Sequence, residues 1–65
     1  MSINERLNLI IQERGLKQAY IAQMVGMTDD CVSKILNGKR KMLADEFLKF
    51  CSALNIDPNC FRKSG

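Results

Sequence analysis

Four cations, Lys34, Lys39, Arg40 and Lys41, fall within residues 34–41, and no acid interrupts them. Ammonium and guanidinium groups gathered this closely suit a polyanion, so the chemistry on offer is the binding of phosphates. The same run also fits a solvated lysine loop, and charge alone leaves both readings open. The other six cations of the chain face seven acids, a balance of −1, so the net charge of +3 is concentrated in this one place.

Bond-making chemistry finds little support. The chain has no histidine, which excludes histidine-dependent acid–base and nucleophilic catalysis. Its three cysteines, Cys31, Cys51 and Cys60, show no C-x-x-C spacing and supply no zinc ligand set. No catalytic residue, metal or cofactor is expected. Cys51 lies on an apolar helical face and reads as a small core filler. Cys31 reads as an accessible, inert thiol, with Lys34 too weak an activator on its own. Met24 and Met27 read as packing residues.

The 65 residues fit one domain, 1–65, with a core over about 3–61. A domain of this size buries only about 60% of its unfolded surface, so its stability is expected to be marginal. No apolar run is long enough to span a membrane. The first residues lack the basic-then-apolar pattern of a secretion signal, and a cytoplasmic protein is expected.

The elements that position the cations follow from spacing and cap chemistry. Ser2-Ile3-Asn4-Glu5 has the capping-box pattern. Ile3, Leu7, Ile10, Ile11 and Arg14 follow at helical intervals until Gly15. A second helix runs from about Gln18 to Val25, with Ile21, Ala22 and Val25 inward. Gly26 can turn the chain sharply, and Thr28 can cap a third helix from about Asp29 to Leu36, with Val32 and Ile35 inward. Asp29 and Asp30 stand in its first turn, where the helix dipole favours negative charge. Asn37-Gly38 stops it. A fourth helix runs from about Ala44 to Leu54, with Phe47, Leu48, Phe50, Cys51 and Leu54 on its apolar face. Asn55 can end it, and Asp57-Pro58 starts a short fifth helix through Phe61. Residues 62–65 are expected to fray. No segment alternates like a strand. The fold class is all-α, a five-helix bundle. Two short helices joined this tightly suit the major groove of DNA.

With these positions fixed, the chain resembles the Cro/repressor (XRE-type) helix-turn-helix family of phage and bacterial transcriptional regulators. The resemblance rests on Gly15-Leu16, Gln18, Ile21-Ala22, Val25-Gly26, Thr28, Val32, Ile35, Asn37-Gly38-Lys39-Arg40 and the helix around residues 47–54, with the spacing kept. It implies the phage-repressor type of bundle, with the helix-turn-helix at the second and third helices. It also implies that Gln18, Thr28, Asn37, Lys39 and Arg40 meet the DNA backbone, and that Asp29, Asp30, Ser33 and Lys34 face base edges or nearby phosphates. Lys17 and Lys41 add charge to the same surface.

The chain departs from the family pattern at informative places. Lys17 stands where a Ser or Thr cap is common, and Leu43 does so before the fourth helix. Asp29 and Asp30 admit two readings: acceptors for cytosine amino groups, or charges that only suit the helix dipole. Ile11 and Leu36 replace an arginine–glutamate pair of many members, so their side chains are expected to meet. The function implied is a sequence-specific regulator of double-stranded DNA, a repressor binding a two-fold operator as a homodimer. The alternatives are an antitoxin that also autoregulates, with a protein partner, and an interaction module that has lost DNA binding.

Overall fold

The computed structural model describes residues 2–62, which form five helices: α1 (Ile3–Glu13), α2 (Gln18–Val25), α3 (Asp29–Leu36), α4 (Ala44–Leu54) and α5 (Asn59–Arg62). There is no strand among the described residues. Ser2 caps α1 by accepting from the Glu5 N–H at 3.2 Å, and the Glu5 carboxylate accepts the Ser2 N–H in return at 2.8 Å. That contact holds the Glu5 carboxyl below its ordinary range. Asp57 starts α5 by accepting from the Asn59 N–H at 2.9 Å. α5 includes Arg62, and the expected fraying of 63–65 lies outside the described residues.

The chain leaves four helices in the same way. After α2, the Met27 N–H bonds back to the Ala22 carbonyl and the Gly26 N–H to that of Gln23, with Gly26 at φ 73°. This is a Schellman turn. Equivalent pairs of bonds close α1 at Gly15, α3 at Gly38 and α4 at Asn55. Asn55 takes the left-handed conformation with φ 58°, which a side chain tolerates less readily than glycine does.

The core gathers Leu7 and Ile11 of α1, Ile21, Ala22 and Val25 of α2, Val32, Ile35 and Leu36 of α3, and Phe50 and Leu54 of α4. α2 packs on both α3 and α4, and α1 packs on α3. Ile11 and Leu36 are both buried in this cluster. Cys51 is buried, and that burial pushes its thiol pKa up. Phe61 meets Phe47 edge-on at 5.4 Å and lies under the Arg6 guanidinium at 4.8 Å, which seats α5 against the bundle.

Three expected packing residues turn out exposed. Leu48 is 53% exposed because it sits a full helical step beyond Phe47, past the arc that carries Phe50, Cys51 and Leu54. Met24 is also 53% exposed, while Met27 packs against the core. Ile3 lies on the inward side of α1 but at its open first turn, where little covers it, and it is 38% exposed.

Candidate nucleic-acid interface

The candidate interface centres on α3, whose one side is fixed by the core. Val32, Ile35 and Leu36 point inward, which leaves Asp29, Asp30 and Lys34 exposed on the other side, with Ser33 half-buried. The Thr28 hydroxyl accepts the Cys31 N–H at 3.1 Å, and this caps the helix. The Thr28 carbonyl takes the Val32 N–H at 3.0 Å. The turn before α3 is thus set by one glycine, one hydroxyl and backbone bonds.

Side chains from other elements fix how α3 sits. Asn4 on α1 donates to the Ile35 carbonyl at 2.6 Å, near the end of α3. Gln18 donates to the Asp29 carbonyl at 3.3 Å, joining the first residue of α2 to the first of α3. Arg14 donates to the Leu54 carbonyl at the end of α4. Sequence reading missed the Asn4 and Arg14 ties, because no local pattern announces a side chain that reaches a distant helix end.

On the exposed face, Lys34 and Asp30 pair at 3.1 Å one turn apart. Sequence reading did not pair them, although their i, i+4 spacing on one helix is the signal that could have done so. Their side chains are 55% and 77% exposed, so the pair is worth little and can be exchanged for another partner. Asn37 donates to the Ser33 hydroxyl at 3.2 Å. Lys17 begins α2 with no side-chain cap, as expected.

The basic segment folds back on α3. The Lys39 and Arg40 N–H groups both point at the Lys34 carbonyl, at 2.8 and 3.2 Å. Lys39 and Lys41 are exposed. Arg40 differs from both. Its guanidinium makes two hydrogen bonds to the Glu46 carboxylate on α4, at 3.2 and 3.0 Å. The same carboxylate accepts the Leu43 N–H at 2.9 Å. Leu43 has no side-chain acceptor to offer, so α4 begins with only the glutamate half of a capping box. The Leu43 N–H first, and then Arg40, hold the Glu46 carboxyl below its ordinary range, and Glu46 raises Arg40 in turn. Lys17, Gln18, Thr28, Asp29, Asp30, Ser33, Lys34, Asn37, Lys39 and Lys41 therefore lie on α3, on the start of α2 or on the loop joined to them, and Arg40 is turned toward α4.

An all-helical bundle with a capped short helix, a glycine turn and a basic loop is the arrangement of a known family. A helix-turn-helix family model matches residues 7–59. The chain belongs to this helix-turn-helix family of DNA-binding transcriptional regulators. Among solved structures it is similar to the restriction-modification controller protein C.AhdI from Aeromonas hydrophila, at 28% identity and a TM-score of 0.80, with 86% of this chain and 85% of that one covered. It is also similar to the DNA-binding domain of the P22 C2 repressor, at 20% identity and a TM-score of 0.86, with 98% and 84% covered, a likeness of fold. No curated protein matches the chain. No helix among the described residues is long and apolar enough to cross a membrane, and no group of His, Cys, Asp and Glu among them could hold a metal ion.

Proposed function

We propose that this helix-turn-helix protein is a cytoplasmic, sequence-specific repressor that lays α3 in the major groove of double-stranded DNA and binds a two-fold operator as a homodimer. The observation that supports the reading is the placement of charge: the Lys39 and Arg40 N–H groups bond to the Lys34 carbonyl, which holds the start of the basic loop against the end of α3, and Lys34, Lys39 and Lys41 are all exposed. Lys17, Gln18, Thr28, Asn37, Lys39 and Lys41 contact phosphates. Asp29, Asp30, Ser33 and Lys34 meet base edges or the nearest phosphates. A domain this small buries little surface on one half-site, which favours a dimer for tight binding.

Titration of duplex DNA at several salt concentrations tests the reading. Each phosphate contact releases counterions, so Lys39→Ala with Lys41→Ala should lower the log–log salt slope by about two units per bound protomer. An unchanged slope removes the loop from the interface. A duplex signal that is absent, or indifferent to salt, favours a protein-interaction module instead. Site selection with Asp30→Asn addresses specificity. A changed base at one position means that Asp30 reads DNA, whereas a uniform gain in affinity leaves it as a dipole partner.

A further inference from the structure

Within the basic segment, Arg40 is set apart by the geometry of its partner. Both Glu46 oxygens are engaged by its guanidinium, at 3.2 and 3.0 Å, and Oε1 also holds the Leu43 N–H. One carboxylate therefore grips the chain at two points three residues apart. Lys41 and Met42 lie between them, and Met42 packs against the core. The other end of the loop is fixed by the bonds from Lys39 and Arg40 to the Lys34 carbonyl. The Glu46 side chain is only 13% exposed, against 77% for Asp30 in the other ion pair of this surface. Lys49 on α4 adds a weaker attraction to Glu46, and Cys31 on α3 lies within electrostatic reach of Arg40.

We infer that Arg40 and Glu46 are positioning residues. Their ion pair holds the loop in a fixed shape that presents Lys39 and Lys41, and Arg40 does not itself neutralise a phosphate. A two-pronged guanidinium–carboxylate bond is charge-assisted and orientationally specific, which a single exposed lysine contact is not. To reach DNA, Arg40 would have to release both bonds and leave a carboxylate beside the phosphates. A loop ordered before binding spares the complex the entropy of ordering it. The functional part of this inference rests on the DNA-binding reading above. The ordering of the loop does not.

A double-mutant cycle separates the roles. Arg40→Met, Glu46→Leu and the double variant are titrated against a mixed-sequence duplex at several salt concentrations, with folding checked by circular dichroism. Each single change should weaken binding about three- to tenfold, the range expected from ordering a few side chains. The double variant should bind no more weakly than either single one, with the wild-type salt slope. If Arg40→Met costs the same factor with and without Glu46, and the slope falls by about one unit per bound protomer, Arg40 is a phosphate contact and the inference is overturned. Amide hydrogen exchange on the free protein tests the loop without DNA. Exchange at residues 40–43 should be faster in Glu46→Leu, or in the isosteric Glu46→Gln where the leucine variant does not fold. Equal protection in the folded variant overturns the inference as well. A wild-type protein that ignores the duplex sinks the DNA-binding reading alone, and the exchange result then decides the loop.

Discussion

The turn between α2 and α3 and the loop between α3 and α4 both precede a helix, yet they are held by different means. The first spans only Gly26, Met27 and Thr28 and is closed by backbone bonds and a hydroxyl within a few residues. The second spans residues 37–43. It begins with the same kind of backbone closure but is completed by an ion pair to α4. The short turn needs residues with the right local preferences. The long loop needs a charged group placed by a helix that has already packed. The start of α3 is thus set by the local chain, whereas the shape of the basic loop depends on α4 sitting in place.

The harshest way to break this contrast is through the core that both connections serve. Leu36→Glu strands a charge in the buried cluster that also holds Ile11 and should cost about 3–5 kcal/mol, enough to unfold much of a small domain in urea titrations. Ile11→Arg with Leu36→Glu should regain a large part of that loss. Recovery no better than additive would show that the two side chains do not meet.

Next comes the turn itself. An added Cβ at Gly26 would meet nothing within 4 Å, so Gly26→Ala isolates the conformational penalty at φ 73°. We expect a loss of about 1–2 kcal/mol in thermal or urea unfolding. Thr28→Ala removes the hydroxyl that receives the Cys31 N–H and should cost about 1 kcal/mol. A negligible effect of either substitution would mean that tertiary packing alone sets the turn.

The start of α4 offers the opposite sign. Leu43 is 58% exposed and already receives Glu46 at its N–H. Leu43→Thr should complete the capping box and stabilise the fold by about 0.5–1 kcal/mol. No gain would indicate that the Arg40–Glu46 pair already fixes this helix start fully.

The smallest expected effect is that of pH. Because folding lowers the Glu46 pKa, its ionised form stabilises the fold above the ordinary glutamate range, and that contribution disappears as pH falls through the lowered value. Wild-type stability should therefore drop more than that of Glu46→Gln when urea titrations are moved from neutral to strongly acidic pH. Parallel curves for the two proteins would assign the acid sensitivity to other carboxylates, of which Glu5 is also lowered.

The sequence by itself determined the helices and their ends. Ser2 and Glu5, Gly15, Gly26, Thr28 and Asn55 act through bonds to residues a few positions away, so type and spacing suffice to place them. The inward residues of α2 and α3 were legible for the same reason, since helical period decides which side a residue occupies. Only the tertiary structure decided the rest. Leu48 and Met24 are as apolar as their buried neighbours, and their exposure depends on which arc of each helix another helix covers. Asn4 finds the Ile35 carbonyl, and Arg14 that of Leu54, across 31 and 40 residues of chain. Arg40 has the same place in the basic run as its lysine neighbours, but its guanidinium is turned to Glu46. The two stand six positions apart, off any helical register, and only the path of the folded loop brings their charges within hydrogen-bond reach.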